Sequence, residues 1–115
     1  MSSRSDRSRL QDILDAIRSI QARIEGLDFD AFCRDDTMIK AVLYDLIIIG
    51  EAANNLSSAI KTQNRELPWR LMSDMRNIVV HEYFRVNLRI AWSTARNNLP
   101  ALIKPLTKLL QITET

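Results

Sequence analysis

The segment Arg76-Asn77-Ile78-Val79-Val80-His81-Glu82-Tyr83 gathers the residue types best able to do chemistry in this chain. It holds the only histidine, an arginine five positions before it and a tyrosine two positions after it. Histidine exchanges its proton near neutral pH, and arginine is a permanent cation whose planar fork matches a phosphate. Together they suit phosphodiester chemistry. RNA cleavage by its own 2′-hydroxyl needs one group to remove a proton and another to protonate the departing 5′-oxygen. A single histidine cannot fill both roles at once. A two-fold pair of chains would bring two copies of His81 and two of Arg76 into one cleft, supplying base, acid and two cations for the developing charge.

A helical wheel makes the same point. At roughly 100° per residue, Arg76 and His81 stand about 140° apart, while Arg76 and Tyr83 share one face and Asn77 and His81 share another. Either the helix ends before His81 and the chain turns, or a second copy completes the site. On the residues alone a plainer reading stays open: His81 capping carbonyls, Arg76 bridged to Glu51 or Asp74, Asn77 a surface amide. Asp35, Asp36, Asp45 and Glu51 form no recognisable ligand spacing with His81, so no metal or other cofactor is expected.

The elements that must carry this segment are helical. Leu10, Ile13, Ile17, Ile20, Ile24 and Leu27 alternate spacings of three and four, one stripe of a helix that Gly26 loosens at its end. Residues 28–34 form a short connector with room for one helical turn. Asp36 or Thr37 then caps a long central helix with the stripe Ile39, Val42, Leu46, Ile49, Ala53, Leu56 and Ile60. Leu43, Ile47 and Ile48 widen its apolar surface to two sides, and Gly50 lets a neighbour come close. Pro68 fits the first position of a third helix, which bears Arg76 to His81. Asn87 caps a fourth, with Leu88, Trp92, Ala95, Leu99, Leu102, Leu106 and Leu109 on its stripe and kinks expected at Pro100 and Pro105.

The fold class is therefore all-α, a four-to-five-helix antiparallel bundle in one domain spanning residues 1–115, with a flexible tail at residues 1–8. Apolar surface exceeds what one small bundle covers, so a homodimer is expected. With 46% hydrophobic and 26% charged residues and a net charge of +2, the chain resembles an ordinary globular protein, compatible with a nucleic-acid partner without demanding one. Cys33 is the single cysteine, expected as a buried or half-buried thiol. Trp69, Trp92, Tyr44 and the phenylalanines are expected as core anchors. No membrane span or secretory signal is visible, which points to the cytoplasm.

Arg76-Asn77-x-x-x-His81-x-Tyr83 resembles the Arg-x4-His-x-Tyr signature of HepT, the toxin of the HepT/MntA toxin–antitoxin pair within the HEPN superfamily. Ile48-Ile-Gly-Glu-Ala-Ala, Leu67-Pro-Trp-Arg, Met75-Arg-Asn and Asn98-Leu-Pro resemble it too, so the likeness covers roughly residues 10 to 110. It implies a HEPN bundle acting as a homodimer, with Arg76 and His81 the catalytic pair of a metal-independent RNA endonuclease that leaves a cyclic phosphate. Asn77 would be the polar companion and Glu51 would orient Arg76 from the neighbouring helix. Tyr83 would accept AMP from an MntA-like nucleotidyltransferase antitoxin, an adduct that repels the phosphates of RNA. Arg85 stands where many relatives carry glycine, which implies a stiffer loop. HEPN proteins that bind a nucleotidyltransferase or RNA without cutting supply the alternative reading.

Overall fold

Most helices here begin where a side-chain oxygen is placed to begin them. The computed structural model describes residues 5–114. Ser5 accepts from the Ser8 N–H and opens α1 (Asp6–Ile24), and Asp28 accepts from Ala31 and opens the one-turn α2 (Phe29–Cys33). Asp35 accepts from Met38 and opens α3 (Asp36–Asn55), one or two residues before the cap expected at Asp36 or Thr37. Each cap satisfies a backbone donor that the helix itself leaves unpaired. The expected tail at residues 1–8 is thus corrected: residues 5–8 include the cap and first turn of α1, and residues 1–4 lie outside the described residues.

The central stripe runs as read, but the helix under it does not. α3 stops at Asn55, Leu56 turns extended, and α4 (Ser58–Gln63) restarts where Ser57 accepts from the Ile60 N–H. Ser57 also donates its own N–H to the Asp6 carboxylate at 3.0 Å, tying the restart to the first turn of α1. α5 (Trp69–His81) has Pro68 as its cap residue, not its first helical one. Asn87 accepts from Arg89 and Ile90 to open α6 (Leu88–Ser93), as its sequence predicts.

The expected fourth helix is broken by Pro100 alone. Lacking an N–H and crowding the preceding turn, Pro100 follows a widened π turn at Thr94–Asn98 and starts a tight 3-10 turn at Pro100–Leu102. α7 (Ile103–Ile112) then takes Pro105 in its first turn, where no intrahelical donor is lost, so no kink appears there.

The all-α antiparallel bundle expected from the sequence is observed, with no strand among the described residues. α3 lies between α1 and α5, α7 packs along α1, and α2 sits between α3 and α6. The stripes meet in one core that contains Leu10, Ile13, Ile17 and Ile20 of α1, Val42, Leu46 and Ile49 of α3, and Leu106 of α7. Among the described residues no helix is long and apolar enough to cross a membrane. Three expectations about single side chains are corrected. Cys33 is exposed, and Tyr44 and Phe84 are 64% and 97% exposed, while Phe32 is fully buried and Trp69 and Trp92 pack partly against the core.

Two helix contacts carry consequences for stability. At Gly50 an added Cβ would overlap the Arg76 Cβ and stand 2.7 Å from the Met72 carbonyl oxygen, so α3 and α5 approach as closely as they do only because Gly50 has no side chain. Gly50→Ala gains about 1 kcal/mol of helix propensity but overpacks against atoms that cannot rotate away, at about 1–3 kcal/mol. A lower melting temperature is expected, and a higher one would show that the approach is loose.

Asp45 is 8% exposed between α3 and α1, with Oδ2 lacking a hydrogen-bond partner and 3.9 Å from Arg23 Nε. Burial pushes its carboxyl above the ordinary carboxylate value, against Ser19 and Arg23, which pull it down. The folded chain therefore holds this proton more tightly than the unfolded chain, and stability falls as pH rises from the unfolded value through the raised native one. Asp45→Asn is expected to melt higher than the parent near pH 7 and level with it near pH 3. A variant that loses stability at neutral pH would mean that the Arg23 attraction outweighs burial.

Candidate active site

Arg76 is positioned by the helix packing that Gly50 allows. Its backbone sits on the α5 face turned to α3, one turn after the buried Met72 and one turn before the buried Val79. Glu51, next to Gly50, reaches across so that the Arg76 Nε–H donates to Glu51 Oε1 at 2.7 Å. The guanidinium also donates from one terminal nitrogen to the Asn77 side-chain oxygen at 3.0 Å. Arg76, Glu51 and Asn77 are thus brought together, and of the two acids weighed as partners for Arg76 it is Glu51 that binds it. Asp74 pairs with Arg70 instead, at 3.7 Å.

His81 is the last residue of α5 and is exposed. The helix is closed beyond it by the Glu82 N–H donating to the Ile78 carbonyl at 2.9 Å. Since α5 runs through His81, the turn that would swing the imidazole back toward Arg76 does not occur. The two side chains leave the same helix about 140° apart. One copy of the chain presents its guanidinium against α3 and its imidazole at the helix end.

Tyr83 begins a single 3-10 turn, Tyr83–Arg85, fixed by the Arg85 N–H donating to the Glu82 carbonyl at 2.7 Å. Its ring stands edge-on to Phe84, with centroids 5.4 Å apart and planes at 80°. Tyr83 is 38% exposed and lines a surface groove of about 420 Å³ with Ile39, Lys40 and Leu43 of α3 and Phe84 and Val86 of its own segment. Lys40 did not stand out in the sequence. Its ammonium is held 3.0 Å from Asp36, a hydrogen bond that raises its pKa, with the tyrosine contributing in the same direction. The available signal was the i, i+4 pairing of Asp36 with Lys40, a pattern more often found on plain solvated faces.

Among the described residues, no group of three or more His, Cys, Asp or Glu side chains is placed to hold a metal ion. What the arrangement offers is a fixed forked cation, a solvent-facing imidazole and a phenol over a groove. The Arg76–Glu51 bond should be visible by itself: the Arg76 Nε–H resonance is expected to be shifted and slow to exchange in the parent chain. In Glu51→Ala it should move to the position of a free arginine with helix content unchanged. A resonance indifferent to that substitution would remove Glu51 as the positioning group.

A family model described as ribonuclease HepT-like matches residues 13–109. A candidate RNase of Caldanaerobacter subterraneus subsp. tengcongensis is 34% identical over 108 residues, covering 94% of this chain and 96% of the relative. A probable ribonuclease HepT of Thermococcus cleftensis is 37% identical over 106 residues, covering 92% and 96%. A candidate RNase of Methanocaldococcus jannaschii is 32% identical over 105 residues, covering 91% and 87%. No solved structure gives a match.

Proposed function

The chain belongs to the HepT-like ribonuclease family, and on that premise we propose that it is the toxin of a toxin–antitoxin pair, a metal-independent RNA endonuclease of the cytoplasm. The observation that carries this reading is the Arg76 guanidinium, fixed at Nε by Glu51, on the same helix that ends in the exposed lone His81. With Nε taken, the terminal N–H donors, one shared with Asn77, remain to grip a phosphate.

The reaction is written for two copies across a two-fold axis. His81 of one protomer removes the proton from the 2′-hydroxyl, whose oxygen attacks phosphorus. The bond to the 5′-oxygen breaks, and that oxygen takes a proton from the partner subunit's His81. A 2′,3′-cyclic phosphate and a free 5′-hydroxyl result. Charge on the phosphorane falls to Arg76 and the partner subunit's Arg76. Support for pairing comes from Ile78 and Val80, apolar side chains left exposed toward the end of α5, with Tyr44 exposed on the neighbouring helix.

Silencing is assigned to Tyr83. A nucleotidyltransferase of the MntA type would transfer AMP to its phenolic oxygen, and the added anion beside the cleft would turn RNA away. Tyr83 has room for such a group, because it borders the 420 Å³ groove.

The test is cleavage of labelled RNA in EDTA by purified protein. His81→Ala and Arg76→Ala are each expected to lower the rate by about 10²-fold or more while leaving helix content and dimer mass unchanged. Cleavage that survives in the folded double variant would reject the catalytic pair. Saturable binding of RNA that stays intact with the parent chain would favour a non-cutting HEPN dimer. Co-expression with the neighbouring nucleotidyltransferase should add AMP mass to the parent and none to Tyr83→Phe.

A further inference from the structure

From Tyr83 to Thr113 the chain carries Arg85, Arg89, Arg96, Lys104 and Lys108 and no Asp or Glu. The modest total of +2 conceals this division, since the remainder of the chain is net acidic. The ion pairs among the described residues engage Arg23, Lys40, Arg70 and Arg76, so they leave this basic segment unneutralised.

Two of its arginines are held by aromatic rings instead. The Arg89 guanidinium lies 4.1 Å from the Phe29 ring centroid, and that of Arg96 lies 5.7 Å from the Trp92 ring. The rings themselves are neighbours, with centroids 6.3 Å apart, so Arg89, Phe29, Trp92 and Arg96 form one continuous ladder. Arg96 belongs to the widened turn before Pro100 and also donates to the Leu27 carbonyl at 3.4 Å. Beyond it, Arg96 and Arg18 of α1 line a groove of about 580 Å³, floored by Gly26 and Pro100, with Glu25 as a carboxylate on its rim. At the other end, Phe84 stands 97% exposed five residues before Arg89.

We infer that the Arg89–Arg96 ladder and the Arg18–Arg96 groove hold the sugar–phosphate backbone of single-stranded RNA outside the cutting site, with Phe84 stacking a base at the Arg89 end of the ladder. The inference rests on the ribonuclease reading. A guanidinium laid on a ring keeps its edge donors outward and has already lost much of its rotamer freedom, so little ordering remains when a phosphate arrives. Basic side chains tracking a backbone beside an exposed aromatic ring are what an unpaired strand requires, whereas a duplex hides its base faces.

The experiment uses the full-length His81→Ala chain and a labelled unstructured RNA, with fluorescence anisotropy read across a salt series. Arg89→Gln with Arg96→Gln is expected to weaken binding about tenfold or more at 0.1 M salt. It should also reduce the slope of log affinity against log salt by about 1.4, the value for two lost phosphate contacts on a single strand. Arg18→Gln, which touches neither ring, should give about half that change in slope and tests the groove even if the ladder variant folds poorly. Phe84→Ala should weaken binding without changing the slope, and Arg70→Gln should change neither. Equal affinity and slope in the arginine variants overturn the inference. So does a ladder variant that keeps RNA binding but no longer co-purifies with a nucleotidyltransferase, which would place the ladder in a protein interface. A parent chain that binds through the ladder but never cuts would reject the ribonuclease and leave the track standing. A cutting enzyme with ladder-independent binding would do the reverse.

Discussion

The arrangement of this molecule depends on one absent Cβ. Gly50 lets α5 press onto α3 until the Arg76 Cβ occupies the space a side chain would have filled. Glu51 is the next residue, so the point of closest approach and the carboxylate that grips Arg76 are set by the same backbone. The resulting ion pair is half in solvent and contributes little to folding. Its effect is orientation. It fixes which edge of the guanidinium is occupied and which is left for a substrate, and core packing on either side holds α5 in place while it does so.

The two halves of the candidate site are consequently built to different standards. Arg76 is anchored by a neighbouring helix and its own neighbour Asn77, while His81 hangs at the end of α5 and Tyr83 starts a single 3-10 turn. The rigid half suits a group that must meet a phosphate in one orientation. On the proposed reading, the open half suits residues that have to be reached, His81 by a hydroxyl and Tyr83 by a modifying enzyme. Because α5 runs straight through His81, Arg76 and His81 of one copy leave the helix on different flanks, which is the reason the proposed reaction is written for two copies. Two groups on opposite flanks of one rod do not converge, however its ends are arranged.

Much of this could be read from residue spacing, and the misses share a cause. The stripes of α1, α3 and the C-terminal helices located the core because burial acts over many residues at once, and a wrong residue or two does not erase a period. Caps and breaks are decided by single contacts. The stripe continues in phase from Leu56 to Ile60, yet the helix breaks between them because Ser57 finds the Ile60 N–H and its own N–H finds Asp6, fifty-one residues away. Pro105 looked like a second kink only because the restart at Ile103 was not visible. Tyr44 and Phe84 were read as core because aromatic rings usually are. Their exposure is a property of the assembled surface, and no local pattern announces it. Gly50 marks a close approach in the sequence without naming its partner, and spacing alone leaves Arg76 open to Glu51 or Asp74; the link to Glu51 and Asn77 is what the family resemblance implies, and the three side chains do meet.

Charge gives the last constraint, because it limits the side from which an anion can come. Asp12, Asp15 and Asp45 border one groove on the α1–α3 side, and the residues from Tyr83 to Thr113 carry positive charge alone. On the proposed reading, a polyanion would be drawn to the second surface. RNA would, on that reading, approach over α6 and the Tyr83 turn toward the end of α5, where His81 is exposed. Tyr83 follows His81 by two residues and opens the segment that carries the basic side chains. Under the same proposal, a negative adduct on Tyr83 would oppose this field beside the end of α5, so a single modified phenol could silence the site without touching Arg76 or His81.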